Sequence, residues 1–257
     1  MPRPLALVLV VLTCFLTACS PPRNRVIVLG MIHGEHRTSG RYQLSLLREA
    51  LVGMAPDAIV AEIPPSALED AQRQFRENGV IREGRVAAFP EYTDVVFPLQ
   101  SELGFDLVPA AGWTSAIAGE RRDKLARWQV ERPEETAAVE AGFASVDERI
   151  AQTGEADDNP YFIHTDAYDN IIPAGVRPYN DLFNDDLGHG GWDNINAAHY
   201  VFIRDALDRR RGRKETIVIM FGAWHKYWIL DRLKERARME GDIELVDPKP
   251  YFESAFR

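Results

Sequence analysis

"VIVLGMIHGEH" (residues 26–36) decides how the chain folds. Val26–Leu29 is a short, unbroken apolar run that stops at Gly30. Such a run, closed by a turn residue, predicts a strand buried on both faces, as in a parallel sheet. Past the glycine come His33, Glu35 and His36. The arrangement returns in "TIVIMFGAWHKYW" (216–228), where an apolar run gives way to Gly222 and then His225. Both stretches read strand-Gly-x-x-His. Glycine permits a sharp exit from a strand. The histidine is then left just past the strand's C-terminal end, the edge where open parallel sheets bind ligands.

Working outward, Ala58–Ala61, Phe105–Pro109 and Ile243–Val246 are further short apolar runs, as is Thr216–Phe221. Helical patterns separate them. The alternation predicts an α/β fold: a mostly parallel central sheet of about five strands flanked by helices, with a helical and loop insertion. A helix is expected over residues 40–52, capped by Thr38 or Ser39 and ended by Gly53. "SALE" (66–69) has the form of a capping box opening a second helix, which closes at Asn78-Gly79. A third spans about Tyr92 to Leu103, with Pro98 as a kink. Two charged helices split near Pro133 fill 114–154. The Pro-, Gly- and Asp-rich stretch 155–191 reads as a long loop or lid. Helices over 192–211 and 226–239 flank the fourth strand.

The N-terminus has a different grammar. Arg3 precedes "LALVLVVLTCFLTA" (5–18), too short for a spanning helix and built like a secretory signal. Leu16-Thr17-Ala18-Cys19 resembles the lipobox of bacterial lipoproteins, which implies cleavage before Cys19 and lipid attachment to it. The expected organisation is a signal at 1–18, a lipidated tether at 19–25, and one α/β domain over 26–257 with its insertion at about 114–191. The lipoprotein resemblance implies anchoring outside the cytoplasm, at an outer membrane facing the periplasm where the host has two membranes. Cys14 and Cys19 are the only cysteines, so the folded part has no disulfide and no thiolate ligand. With 30 basic against 39 acidic residues, the chain is a poor partner for nucleic acid. The run "RRRGRK" (209–214) reads as a solvated helix end.

A third group reaches the same sheet edge. Glu62 closes the second strand ahead of Pro64-Pro65. His33, Glu62 and His225 together suit a divalent ion such as zinc, manganese or cobalt with an open position for water. They equally suit a metal-free general base, with Glu62 orienting a histidine. Glu35 and His36 are candidate supporting groups or plain loop residues. Glu91, in "FPEYTD", is a candidate acid or a helix N-terminal residue. Asn194 and Asn196, in "WDNINAAHY", are candidates to steady an oxyanion. His189 lies in a Gly-rich loop and can swing over the site, His199 sits on a helix, and His164 reads as a loop residue. Trp224, Tyr227 and Trp228 surround His225 as packing or as a substrate wall.

The paired Gly-x-x-His motifs with Glu62 between them resemble the TraB/TIKI group, related to the erythromycin-esterase and ChaN-like proteins. The likeness runs over about 26–106 and 192–251. It implies a Gly-x-x-His, Glu, Gly-x-x-His active edge, with His33, Glu62 and His225 at the matching positions and Glu91 matching a further acid. Members include metal-dependent peptidases, esterases using histidine base chemistry, and haem-binding lipoproteins. Met31 and Ile32 stand where esterase members carry an acid, and "AAGW" (110–113) where an acid or Asp-Arg pair is expected. No arginine accompanies the asparagines at 194 and 196. The expected function is hydrolysis of an ester or amide in a small molecule or peptide. The alternatives are haem or metal binding without turnover, or a scaffold that has lost activity.

Overall fold

The computed structural model describes residues 22–254, so Cys14, Cys19 and the signal expectation lie outside the described residues. Five strands form one all-parallel sheet in the order β3-β2-β4-β1-β5. They are β1 (Asn24–Met31), β2 (Ala58–Ala61), β3 (Asp106–Pro109), β4 (Thr216–Gly222) and β5 (Ile243–Leu245). Each apolar run singled out in the sequence is therefore a strand, with ends shifted by one or two residues. β4 lies between β1 and β2, so the strands leading to His33, Glu62 and His225 are neighbours at the centre of the sheet.

The helices are α1 (Leu44–Met54), α2 (Pro65–Asn78), α3 (Gly84–Ala87), α4 (Phe97–Leu103), α5 (Ser115–Glu131), α6 (Pro133–Thr153), α7 (Pro160–Ile163), α8 (Asp166–Phe183), α9 (Trp192–Arg209), α10 (Ala223–Met239) and α11 (Lys249–Ser254). β1 shows the two-sided burial directly. Ile27, Leu29 and Met31 pack into the cluster that holds Leu47 and Leu51 of α1, whereas Val26 and Val28 pack with Ile203 of α9 and Ile229 and Leu233 of α10. Helices thus cover both faces. The chain leaves β1 toward β2 on one side and leaves β4 toward β5 on the other, which opens a crevice between the two exits. No helix among the described residues is long and apolar enough to cross a membrane.

The loop expected at 155–191 is a correction, because most of it is helix. α8 runs for 18 residues with Pro173 and Pro178 inside it. Each proline removes one ladder hydrogen bond. The helix forms because Tyr168, Ile172, Val176, Tyr179 and Phe183 repeat at helical spacing and are buried. Glycines let it approach α6 closely. A Cβ on Gly175 would stand 2.1 Å from Val146 Cγ2, and one on Gly142 would stand 2.6 Å from the Gly175 carbonyl oxygen. On the other side Lys226 of α10 donates to Asp169 at 2.5 Å with its side chain buried. The insertion is therefore docked by packing and by a buried ion pair.

Local ends also differ from expectation. α1 begins at Leu44, because the Ser39 hydroxyl accepts from Arg41 N and Tyr42 N and holds a turn ahead of the helix. Ala55, with φ 47°, ends α1 in place of Gly53. Ser66 lies inside α2, which starts at Pro65 and has no side-chain cap. Residues Glu91–Val96 form a π turn leading into α4 at Phe97. Pro98 has no N–H to continue an ordinary ladder, and the widened turn absorbs the loss.

Candidate active site

The two strand exits share a sequence pattern but not a conformation. After β1 the chain enters a 3-10 turn, His33–Arg37, and His33 itself takes φ 50°. A left-handed backbone at a non-glycine residue is strained and needs support. Glu91 of the π turn supplies it: its Oε1 accepts from His33 Nδ1 at 2.6 Å. After β4 the chain passes directly into α10, so His225 lies in the first helical turn rather than in a loop. Its Nδ1 donates to Asn196 Oδ1 at 2.7 Å, and Trp192 stacks on its ring at 4.7 Å.

The glycines matter for space. Gly222 has φ −48°, which any residue adopts, but a Cβ there would lie 2.7 Å from His33 Nε2. A Cβ on Gly30 would meet Ile163 Cγ2 at 2.9 Å and Ala223 Cα at 3.0 Å. The positive φ expected of a glycine falls on the histidine instead.

Glu62 sits between the imidazoles. Its Oε2 accepts from Gly222 N at 2.8 Å and lies 3.9 Å from His33 Nε2, while its Oε1 lies 3.9 Å from His225 Nε2. Tyr92 fixes the backbone beneath it: the phenol oxygen accepts from Glu62 N at 2.8 Å and donates to Met220 O at 2.9 Å. The π turn thus delivers Glu91 to one histidine and Tyr92 to the carboxylate's strand.

Hydrogen bonding assigns the tautomers. Asn196 Nδ2 donates to Trp192 O at 2.8 Å, which turns its Oδ1 toward His225 and keeps the proton on His225 Nδ1. Glu91 does the same for His33. Both Nε2 lone pairs therefore stay open next to Glu62, the pattern of ligating histidines held by a carboxylate or carbonyl on the far nitrogen. The two pKa values are shifted in opposite directions. Burial is the largest influence on His33 and lowers its pKa. The Glu91 hydrogen bond and the charges of Glu91, Glu62 and Glu35 outweigh it, so the value is raised above that of an ordinary histidine. Burial also dominates at His225, and with His33 and Arg121 it outweighs the pull of Glu62, so that pKa is lowered.

Glu62, His199 and His225 offer ligand atoms within 4.8 Å of one another, which makes this a possible metal-binding site. His199 is the weakest donor of the three. Gly112 N donates to its Nδ1 at 2.8 Å, so the neutral ring carries its proton on Nε2 and has no lone pair to give. His33 has one. His33 stands outside that gathered set, and the two 3.9 Å approaches to Glu62 run to different oxygens, Oε2 for His33 and Oε1 for His225. His199 packs against His225 at 5.1 Å between ring centres.

The remaining candidates separate. Asn196 is a positioning group for His225, with its amide hydrogen bond already committed to Trp192 O. Asn194 Nδ2 donates to Gly188 O at 2.7 Å and Asn184 O at 3.4 Å, holding the turn before α9. Both asparagines thus hold local structure: Asn196 orients His225, and Asn194 braces the turn before α9. His36 accepts from Ile32 N at 3.3 Å and donates to Tyr42 O at 2.8 Å, a buried structural imidazole whose pKa burial lowers. His164 lies, as expected, outside the helices, in the turn between α7 and α8, but it is a structural group. It is buried, accepts from Gly30 N at 3.0 Å and donates to Pro160 O at 2.6 Å, and burial with nearby Lys226 pushes its pKa down to about 3. His189 belongs to a 3-10 turn, Gly188–Gly190, and is absent from the cleft wall. Glu35 is exposed at the cleft.

The cleft, about 380 Å³, is lined by Ile32, His33, Glu35, Gly222 and His225 from the strand exits, by Trp192 and Trp224, and by Asp147, Ile150, Asp157 and Tyr168 from the insertion. A smaller hollow, about 170 Å³, beside Lys226 and Asp169 holds neither His33 nor His225. Tyr227 donates nothing here; its hydroxyl accepts from Trp192 Nε1 at 2.9 Å, and Trp228 packs on Tyr200 away from the cleft. Comparison with protein-family models, curated proteins and solved structures finds no match to the chain.

Proposed function

We propose that the protein is a metal-assisted hydrolase of an ester or amide bond, with His33, Glu62 and His225 as the metal ligands. The observation that carries this is the double tautomer assignment: both histidines have Nδ1 committed to an acceptor and Nε2 facing one carboxylate. A divalent ion bound there supplies electrophilic polarisation of a carbonyl and acidifies a neighbouring water. The chain does the rest. Glu91 and Asn196 hold the rings in place, Tyr92 and Gly222 N hold Glu62, and Trp192 shields one face of His225. Glu35, at the cleft and in no ion pair among the described residues, is the carboxylate free to take a proton from attacking water and return it to the leaving group.

Haem is the poorer occupant, because Trp192 already stacks on His225 and its propionates would meet Glu35, Asp147 and Asp157 at the cleft. The test is metal analysis of the purified soluble domain, followed by assay of fluorogenic esters and peptides with and without chelator. One equivalent of metal, lost together with hydrolysis in His33→Ala and His225→Ala, is the expected result. A metal-free protein that hydrolyses nothing after reconstitution with zinc, manganese or cobalt would sink the reading. The same proposal places the domain on a membrane through lipid at Cys19, and metabolic labelling with a fatty acid, abolished by Cys19→Ala, checks that part.

A further inference from the structure

We propose that the cleft selects substrates carrying a positively charged organic group, an ammonium or its alkylated form, next to the bond that is cut. The inference deepens the hydrolytic reading and rests on it for the word substrate, although cation binding can be measured without turnover. The imidazoles make the site; the carboxylates around it decide what enters. Glu35 follows the β1 exit, Asp147 comes from α6, and Asp157 from the segment before α7, yet all three line one cleft. Among the described residues none of the three forms an ion pair. Neighbouring acids do: Asp94 is paired with Arg37 at 2.9 Å and Asp158 with Arg41 at 3.3 Å. No lysine or arginine is among the residues lining the cleft. These three carboxylates therefore give the opening a negative potential.

The carboxylates are not a chelate. The one set of acids and histidines among the described residues with ligand atoms gathered within 4.8 Å is Glu62, His199 and His225. Glu35, Asp147 and Asp157 attract charge without gripping an ion. The rest of the wall suits an organic cation: Trp192, with one side stacked on His225, and Trp224 are half-buried and bring aromatic surface to the cleft, while Tyr168 is almost wholly buried behind them. Their polar edges are occupied, since Trp192 Nε1 donates to Tyr227 and the Tyr168 hydroxyl shares a hydrogen bond with Trp224. What the rings present to the cleft is π surface, and π surface beside unpaired carboxylates recognises alkylated ammonium.

The experiment compares choline and 3,3-dimethylbutyl esters of one acid, which match in shape and differ by one charge. The expected result is a kcat/KM roughly tenfold higher for the choline ester at low salt, falling as salt is added. Asp147→Asn with Asp157→Asn, both exposed positions, should bring the ratio toward one. A ratio near one in the unaltered protein, or one unmoved by the double substitution, overturns the proposal. Benzyltrimethylammonium binding, read from tryptophan fluorescence, supplies the second arm. If neither ester is cut, salt-sensitive binding weakened in the double variant still upholds cation selection, and the hydrolytic reading stands or falls on its own metal and peptide assay. No binding together with no charge preference removes it.

Discussion

The exits from β1 and β4 carry one sequence pattern and two opposite environments. At the first, a histidine in a left-handed backbone leans on a buried carboxylate, is a third exposed, and is biased toward its cation. At the second, a histidine in a helical turn leans on an amide, is covered by Trp192, and is biased toward its neutral form. The lesson is that Gly-x-x-His specifies where an imidazole stands and says little about its charge. The partner on the far nitrogen settles that, and it comes from elsewhere in the chain: the π turn for His33 and α9 for His225.

Removing either ring is the coarsest way to break the pair. His33→Ala and His225→Ala should each lower hydrolysis by about a thousandfold or more and abolish stoichiometric metal. Gly222→Ala should approach that loss, because the new methyl would displace His33 Nε2, 2.7 Å away, while Gly30→Ala should show itself first as lost stability. Metal analysis beside a thermal melt separates the two. Either histidine variant retaining full metal would contradict the symmetric role assigned here.

The partners sharpen the contrast at smaller cost. Glu91→Gln and Asn196→Ala should each weaken metal binding about 10- to 100-fold. They should differ in sign on the free protein: titration of the His33 ring, followed by NMR, should move down in Glu91→Gln and stay in place in Asn196→Ala. Equal shifts in both variants would mean that the rings are coupled rather than separately tuned.

Acid offers a third test, because the exits are tied down differently. Gly30 N and Ile32 N of the first donate to His164 and His36, whereas Gly222 N of the second donates to Glu62. His164 has a folded pKa of about 3, against about 6.5 when unfolded. Between these values the unfolded chain holds the extra proton, so stability is complete above the unfolded pKa and falls as pH drops through the window. The slope attributable to this residue is at most about 1.4 kcal/mol per pH unit. Urea unfolding from pH 7 to 4.5 should show it, and His164→Gln should flatten it. The smallest effect expected is that of Trp192→Leu: losing the stack over His225 should cost about 0.5–1.5 kcal/mol and raise the His225 pKa by re-exposing the ring to water. An unchanged titration there would show that other atoms cover His225.

How much of this was legible beforehand follows the same division. The strands were, because two-sided burial leaves continuous apolar runs such as Val26–Leu29 and Thr216–Phe221. Helix Asp166–Phe183 was not, because Pro173 and Pro178 are strong local signals against it and its stability comes from packing on Gly142 and Val146. His33, Glu62 and His225 were legible as strand-end residues that meet at one sheet edge, with Glu62 buried behind the two imidazoles. Glu91 was recognised as an acid without its partner. Tyr92 and the tautomer-setting role of Asn196 were missed, since both depend on contacts between elements distant in sequence. Nothing in the sequence pattern singles out aspartates 147 and 157, and only the docking of the insertion brings them to the cleft.

β4 enters between β1 and β2, strands made much earlier. Until residues 216–222 are synthesised, β1 and β2 have no common neighbour, and Glu62 lacks both the amide that holds it and the second imidazole. Assembly must then proceed as a late insertion into a waiting gap, the kind of long-range closure that is slow to form. A fragment ending short of that strand would hold neither Gly222 N for Glu62 nor His225 beside it.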